Sequence, residues 1–233
     1  MSKRTKIVLA AWGAVMIAAA LIGGTMLATR GSSKSAAPTA TIQGAAAVNR
    51  LLAGIPQQGA ILGKPDAPVT LVEYADLQCP FCARVAVGDF PTIVRDYVRP
   101  GHVRVIFNGL SFVGTDSVTA LETALSAGSQ EHLWNVVQLL YANQGTENTG
   151  WVTEDLLRSV GKAVPGLDVA SMLAGRSASE VAAARVAAQQ SATTAGVTGT
   201  PTFAVGKTNG VLSVLPASDG QTVRSALDAA LVR

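Results

Sequence analysis

The chain has 233 residues, of which 48% are hydrophobic and 14% charged, and this composition excludes a polar, highly charged disordered protein. Its net charge of +3 comes from the N-terminal segment: residues 1–62 carry six basic and no acidic residues, whereas residues 63–233 carry twelve basic and fifteen acidic residues. Because a nucleic-acid-binding domain carries its positive excess on the folded part, we expect no nucleic-acid partner. Two cysteines are also too few for a disulfide-stapled scaffold.

An uncharged stretch of 23 residues occupies positions 7–29. A helix that crosses a bilayer needs about 20 apolar residues, so this stretch predicts a transmembrane anchor. Lys3, Arg4 and Lys6 precede it, and the positive-inside rule would keep residues 1–6 in the cytoplasm. The alternative is a cleaved signal peptide, whose apolar core is usually shorter. With either, the rest of the chain is extracytoplasmic; we predict a single-pass protein of the cell membrane.

Residues 30–58 predict a flexible stalk. Their first part, residues 31–38 (GSSKSAAP), is rich in small and polar residues, which is the composition of a flexible linker. A short helix over residues 45–53 is compatible with this stalk. Such a segment would let the following domain move above the membrane surface.

A strand–helix–strand pattern follows the stalk. Residues 69–75 (VTLVEYA) are apolar and β-branched and predict a buried strand. Residues 80–99 predict a helix with Pro80 in its first turn, where no N–H is needed, and with Pro91 dividing it. Residues 102–108 alternate and predict a second strand. Two strands joined by a helix in this order indicate a parallel crossover unit.

A helical pattern then extends over residues 115–196. Within it, Ser177 and Glu180 have the spacing of a capping box before an Ala-rich helix. The remaining predicted elements are two short strands and a closing helix, at residues 200–205, 211–215 and 221–232. The predicted order of elements is therefore β–α–β, a block of helices, and β–β–α.

The two cysteines, Cys79 and Cys82, flank Pro80 and Phe81 at the start of the predicted helix. Unpaired N–H groups and the helix dipole favour negative charge at that end, which lowers the pKa of the first thiol. The thiolate is the reactive form, so we predict Cys79 as an exposed nucleophile and Cys82 as a partly buried resolving thiol.

Three alternative roles for the cysteine pair are less well supported by the sequence. A structural zinc site needs four ligands, and one Cys-x-x-Cys pair supplies two. An inert disulfide would close a very short loop and add little stability. Two unrelated core cysteines are the third alternative. We therefore predict redox chemistry that uses neither a metal nor an organic cofactor, only the Cys79–Cys82 disulfide.

Two segments carry a family resemblance. Residues 63–82 (GKPDAPVTLVEYADLQCPFC) and 196–203 (GVTGTPTF) resemble two signatures of DsbA-like proteins of the thioredoxin superfamily. The resemblance implies an α/β thioredoxin-like fold with an inserted all-helical domain, preceded here by one transmembrane helix. The thioredoxin-like part would comprise residues 59–114 and 197–233, and the helical insertion residues 115–196.

The resemblance also assigns roles to individual residues. Pro201 is expected to follow a cis peptide bond and to face the cysteines, so that the backbone of Thr200 can pair with the substrate; the alternative is a strand-initiating proline. Glu73 corresponds to a buried acid that moves protons to or from Cys82, unless it lies exposed at a strand edge. From the residues themselves rather than from the resemblance, we expect Pro80 to stiffen the loop and Phe81 to present an exposed apolar face near the sulfurs, so that both contribute to substrate binding.

The implied activity is oxidation of cysteine pairs in unfolded or partly folded exported proteins, with reoxidation by a membrane redox partner. Better-known oxidases have His where this chain has Phe81, and Thr200 resembles members that reduce or isomerise disulfides. The same cysteines could therefore serve a reductase or isomerase. A chaperone-like peptide-binding module is the alternative from another class.

Several further residues are assigned structural roles. Asp76 and Gln78 lie near the active-site turn and could either shape it or serve as ordinary turn residues. Four large residues are expected in the core or interface of the helical block, namely Trp134, Trp151, Phe112 and Tyr141.

Overall fold

The computed structural model describes residues 41–216 and 218–232. The predicted cytoplasmic segment 1–6 and membrane anchor 7–29 lie outside the described residues. Across the described ranges, no helix combines the length and the apolar character needed to cross a bilayer.

Six strands in the described part of the chain form one mixed sheet, in the order β1-β2-β4-β3-β5-β6. The strands are β1 (Gln57–Gln58), β2 (Ile61–Leu62), β3 (Val69–Asp76), β4 (Val103–Leu110), β5 (Thr202–Lys207) and β6 (Ser213–Val214). Strand β3 pairs parallel to β4 and antiparallel to β5, and β5 pairs antiparallel to β6. The predicted parallel crossover unit and the later hairpin are thus confirmed.

Helices cover both faces of this sheet. In chain order they are α1 (Ala45–Leu52), α2 (Pro80–Gly88), α3 (Phe90–Ile93), a π-helix (Val94–Val98), α4 (Thr115–Gly128), α5 (Leu133–Ala142), α6 (Glu154–Lys162), α7 (Val169–Ala174), a 3-10 turn (Gly175–Ser177), α8 (Ser179–Thr194) and α9 (Gly220–Val232). Helices α4 to α8 lie in the chain between β4 and β5, where the sequence predicts helix.

The central strand β3 is buried along its whole length. Side chains alternate between the two faces of a strand, so Leu71, Glu73 and Ala75 share one face, while Val72 and Tyr74 share the other. The first face belongs to the main core, which also contains residues of α2, and the second packs against α8. Glu73 is therefore directed to the same side of the sheet as the cysteine-bearing helix.

The helix after the cysteines is divided as predicted. Helix α2 ends at Gly88. The short helix α3 follows with Pro91 in its first turn, and it continues directly into the π-helix. Proline lacks the N–H that would continue the first helix and its ring crowds the preceding turn, so the chain restarts there.

The predicted stalk is wrong for residues 45–58. Helix α1 buries Val48 and Leu52 in the main core, and the side-chain amide of Asn49 donates to the carbonyl of Ala163 at 2.8 Å. Strand β1 adds to the sheet beside β2. The apolar positions of α1 recur at helical spacing, and their burial holds this segment on the domain.

The predicted capping box is also wrong. Ser177 ends the 3-10 turn, Ala178 is the N-cap of α8, and no side chain caps that helix. Glu180 therefore sits at the second helical position, one short of the place from which it could reach back to the cap.

The helical block packs on α3 and β4 through aromatic side chains. Trp134 of α5 is fully buried, stacks on Phe90 with ring centroids 5.0 Å apart, and meets Phe107 edge-on at 5.8 Å. The Trp134 indole N–H donates to the carbonyl of Ala60 at 3.0 Å. The prediction that Phe112 lies in the core or interface of the helical block is wrong. Its side chain is exposed because the residue follows β4 in a loop, outside the packed helices.

Candidate active site

The two cysteines lie at the amino end of α2. Cys79 is the N-cap residue and Pro80 occupies the first helical turn, as predicted. The backbone N–H of Cys79 donates to the carbonyl of Asp76 at 3.0 Å, which closes a tight turn between β3 and α2. The carbonyl of Cys79 accepts the N–H of Ala83 at 3.1 Å and begins the helical ladder. Cys82 follows within the first turn of the helix, and both cysteines are free thiols.

The Cys79 thiol is activated by its surroundings. A hydrogen bond from the Cys82 thiol is the main cause that lowers its pKa from 9.0 to about 6, while burial opposes the shift. The N–H groups of Cys82 and Phe81 also donate toward this sulfur. Cys79 is only 6% exposed, less than the sequence predicts, because the segment before β5 lies against its sulfur.

Cys82 has the opposite character. It is fully buried, and burial raises the pKa of its thiol, with a further rise from its hydrogen bond to Cys79. The two thiols therefore differ in acidity in the sense that the sequence predicts, with the more acidic thiol at the helix end and the less acidic, fully buried thiol one turn further on. Such a difference defines which sulfur attacks and which remains protonated.

Glu73 lies in the interior beneath this pair. It occupies the middle of β3, opposite Phe107 on β4 and Phe203 on β5, and is 1% exposed. Desolvation raises the pKa of its carboxyl from 4.5 to about 8, and within the described ranges no group hydrogen-bonds to its Oε1. The exposed edge position considered from the sequence does not occur, because β3 is a central strand.

The segment before β5 meets the cysteines as expected. The carbonyl oxygen of Thr200 lies 3.3 Å from the Cys79 sulfur, and the Thr200–Pro201 peptide bond is cis. The carbonyl of Pro201 accepts the hydroxyl of Ser218 at 2.5 Å, which ties this segment to the start of the closing helix. Thr200 and Pro201 thus form one wall of the site.

Phe81 presents an exposed apolar face beside the sulfurs, with 58% of its surface accessible. The guanidinium of Arg84 lies over its ring, 5.0 Å from the centroid, at a distance typical of a cation–π contact. An open cavity of about 510 Å³ is lined by Pro80 together with Gln78, Gln144 and residues 145–147. A polypeptide that reaches Cys79 would therefore meet both apolar and polar surface.

Asp76 organises the turn that precedes the cysteines. Its fully buried carboxylate accepts hydrogen bonds from the N–H of Gln78 at 2.9 Å and the hydroxyl of Ser117 at 2.6 Å. It also accepts the N–H groups of Phe112 and Val113 at 3.1 and 3.2 Å. The carboxylate thus joins the end of β3 to the loop after β4 and to α4, which is more than an ordinary turn residue does.

Gln78 extends this network into the helical block. Its side-chain amide donates to the Ser117 hydroxyl at 3.0 Å and to the Asn148 side-chain carbonyl at 3.3 Å. Its own side-chain carbonyl accepts the N–H of Asn148 at 2.8 Å. The loop between α5 and α6 is thereby fixed against the active-site turn.

Two residues of the helical block contact this turn in a way that sequence reasoning missed. The hydroxyl of Tyr141, in the last turn of α5, donates to the carbonyl of Asp76, and burial raises the pKa of this phenol well above its usual value. The side-chain amide of Gln144 donates to the carbonyls of Leu77 and Cys79 at 2.8 and 3.2 Å. Neither residue belongs to a recognisable motif, so no sequence signal singles them out.

Metal ligands do not cluster around the site: in residues 41–216 and 218–232, no group of three His, Cys, Asp or Glu side chains is arranged to hold a metal ion. The chemistry available is that of two thiols of different acidity, a buried carboxyl group and an adjacent backbone carbonyl.

Comparison with known proteins gives one family match and several relatives. The thioredoxin family model matches residues 56–218. A "Probable disulfide bond formation protein D" of Bacillus cereus is 36% identical over 124 residues, which are 52% of this chain and 56% of that protein. The chain spans about half the length of the curated relatives it matches.

Solved structures show the same architecture. BdbD from Bacillus subtilis, in its oxidised form, superimposes with a TM-score of 0.67 at 23% identity, over 77% of this chain and 98% of that one. A thioredoxin-like oxidoreductase from Silicibacter pomeroyi DSS-3 gives a TM-score of 0.57 at 27% identity, over 74% and 92% of the two chains. The predicted thioredoxin-like α/β fold and the resemblance to DsbA-like proteins are confirmed.

Proposed function

Because this chain belongs to the thioredoxin family, we propose that it is a thiol–disulfide oxidoreductase that oxidises cysteine pairs in exported proteins through Cys79 and Cys82. The observation that carries the proposal is the Cys79 thiol, with a pKa near 6, at the start of α2 and 3.3 Å from the Thr200 carbonyl. Curated relatives named disulfide bond formation proteins support it.

In the first step, a thiolate of the substrate attacks the sulfur of Cys79 in the oxidised enzyme. The Cys79–Cys82 bond breaks, a mixed disulfide forms between substrate and Cys79, and the bonding electron pair leaves with Cys82. A thiolate at Cys82 is costly in this buried position, so it must take up a proton.

We assign that proton to Glu73. With a pKa near 8, its carboxyl group is mostly protonated at neutral pH, and it lies on the face of β3 that is directed to α2. Transfer of its proton neutralises Cys82, and solvent then returns a proton to the carboxylate. In the reverse direction the same carboxylate withdraws the proton and prepares Cys82 to attack.

In the second step, another thiolate of the substrate attacks the substrate sulfur of the mixed disulfide, and Cys79 leaves as a thiolate. The substrate loses two electrons and two protons and gains a disulfide, and the enzyme pair becomes the dithiol. We propose that Thr200 and Pro201 line up the substrate chain beside Cys79, with Pro80 and Phe81 on the opposite side of the sulfur.

The low pKa of Cys79 favours the oxidase over the reductase or isomerase. A stabilised thiolate stabilises the reduced enzyme, so the disulfide form becomes the stronger oxidant. Phe81 carries no charge, but the hydrogen bonds of Cys82 and the helix start supply the stabilisation that a histidine would give.

We further propose that the domain is extracytoplasmic and that the uncharged segment 7–29 anchors it to the membrane. Disulfides persist in such a compartment, whereas cytoplasmic reductants would keep the pair reduced. Turnover also needs an oxidant for the dithiol, and we propose a membrane protein that passes the two electrons to a quinone. A reporter enzyme fused after residue 233, active only outside the cytoplasm, tests this orientation.

The reduction potential of the Cys79–Cys82 pair tests the direction of electron flow. The full-length chain would be equilibrated with glutathione buffers and its free thiols quantified. A potential between about −120 and −180 mV would place the pair with oxidants and isomerases, which donate disulfides. A potential near or below about −270 mV would instead identify a reductase.

A further inference from the structure

The backbone of the active-site turn is held by side chains from the helical block. The carbonyl of Asp76 accepts the Tyr141 hydroxyl at 3.3 Å, and the carbonyls of Leu77 and Cys79 both accept the side-chain amide of Gln144, at 2.8 and 3.2 Å. Gln144 thus spans the turn from just before the nucleophile to the nucleophile itself.

Gln144 is itself well fixed. Its N–H donates to the carbonyl of Tyr141 at 3.3 Å, directly after the end of α5. The next residue, Gly145, packs so closely on Trp151 that an added Cβ would lie 2.6 Å from that side chain. The backbone around Gln144 is therefore tightly packed where its side-chain amide binds the turn.

The two carbonyls that Gln144 binds matter for the sulfur. Carbonyl oxygens near a thiolate repel it, whereas N–H groups at the helix start attract it. Here the N–H groups of Phe81 and Cys82 donate toward the Cys79 sulfur, and the amide of Gln144 binds the carbonyls of Leu77 and Cys79. Gln144 therefore holds the Leu77–Gln78 and Cys79–Pro80 peptide groups, which precede the N–H groups of Phe81 and Cys82 that donate toward the sulfur.

We propose that Gln144 is a positioning residue for the nucleophile: by binding the carbonyls of Leu77 and Cys79, it fixes the active-site turn and sets the reactivity of the Cys79 thiol. This inference rests on the proposed function only in taking Cys79 as the nucleophile. It assigns to the helical block a direct influence on the redox pair, beyond covering the sheet.

The test is Gln144→Met in the full-length chain, which keeps the side-chain length but removes both hydrogen bonds. The matched control is Gln130→Met. Gln130 makes a similar clamp within the helical block, donating to the carbonyl of Asp168 at 3.1 Å and accepting its N–H at 2.9 Å. Both variants lose two side-chain hydrogen bonds, so any effect on Cys79 that comes merely from losing such contacts should be the same in both.

The readout is the pKa of Cys79, measured on the reduced protein by ultraviolet thiolate absorbance against pH. We expect Gln144→Met to raise this pKa by about one unit and to slow thiol exchange roughly tenfold below the pKa, since one unit corresponds to tenfold in thiolate fraction. Gln130→Met should leave the pKa and the exchange rate as in the parent chain.

A folded Gln144→Met protein with the pKa of the parent chain overturns the inference. If that variant does not fold, Gln144→Asn takes its place. It retains a side-chain amide, but that amide is one methylene too short to reach both carbonyls. An unchanged pKa of Cys79 in this second variant overturns the inference equally. The proposed function fails separately, if the unaltered chain exchanges no disulfides, since the pKa measurement needs no substrate.

Discussion

The sulfur of Cys79 lies 3.3 Å from the carbonyl oxygen of Thr200, a residue 121 positions later in the chain. Strand β5, which follows Thr200, pairs with β3, which precedes Cys79, so the sheet brings the two segments together. In the proposed reaction, a substrate joined to Cys79 would therefore lie against the backbone that leads into β5. The arrangement would give the site both its nucleophile and a surface for an extended chain.

Cys82→Ala should trap substrates as mixed disulfides on Cys79. In this variant the Cys79 thiolate attacks a disulfide of the substrate, so that one substrate sulfur leaves as a thiolate and the other stays joined to Cys79. Without the resolving thiol, the enzyme cannot release that substrate by forming its own disulfide, so covalent complexes accumulate. Non-reducing electrophoresis of the affinity-purified full-length variant measures them, and reductant should dissolve them. The double variant Cys79→Ser with Cys82→Ala is the control; substrates retained equally by that variant would favour a chaperone-like binding module.

The alkylation rate of Cys79 should titrate with a midpoint near pH 6, because the thiolate is the reactive form and the pKa of this thiol is lowered to about 6. Since the hydrogen bond from Cys82 is the largest cause, Cys82→Ala should raise the midpoint by about one unit. Iodoacetamide labelling followed by mass spectrometry measures both profiles. A midpoint near that of a free cysteine in the unaltered chain contradicts this prediction.

Glu73→Gln should stabilise the fold at neutral pH. The folded carboxyl has a pKa of about 8 against 4.5 ordinarily, so the folded state retains a proton that the unfolded chain has released between these pH values. The free energy of unfolding of the parent chain therefore falls as pH rises from about 4.5 to 8. Gln does not titrate, so the free energy of unfolding of the variant should exceed that of the parent chain by on the order of 3 kcal/mol at pH 7.

Urea unfolding of the reduced protein at several pH values measures this difference. The gain should vanish near pH 4, where both states hold the proton, and should level off above pH 8. The proton-transfer role predicts in addition that exchange through Cys82 loses its pH dependence near 8 in the variant. A pH profile of exchange identical to that of the parent chain removes that role.

Asp76→Asn should destabilise the fold by about 2 to 4 kcal/mol, because an amide nitrogen would replace an oxygen that accepts buried donors. Thermal or urea unfolding measures the loss. Asp168→Asn is the matched control: its carboxylate also accepts several donors, but at an exposed N-cap, where Asn serves nearly as well. An equal loss in the free energy of unfolding in the two variants would show that the burial of Asp76 does not increase its contribution to stability.

The local sequence correctly predicted secondary-structure elements that depend on neighbouring residues. It failed for features that depend on tertiary contacts, such as the packing of a helix or the burial of a side chain. The strand before Cys79 and the helix after it follow from apolar composition and from Pro80 at a helix start. The stalk prediction failed at residues 45–58 because small residues suit both a linker and a packed helix. Cys79 is less exposed than predicted, since the distant Thr200 lies against it.

By itself, the sequence identified Cys79 and Cys82 as a pair at a helix start and Glu73 as a buried acid, because all three belong to one continuous strand–turn–helix segment. Only the tertiary structure placed Gln144 and Tyr141 on that segment. Both bind backbone carbonyls, which every residue possesses, so no pattern of residue types marks the pairing. Their contacts exist because α5 packs against α2 and α3, and that packing depends on the whole core.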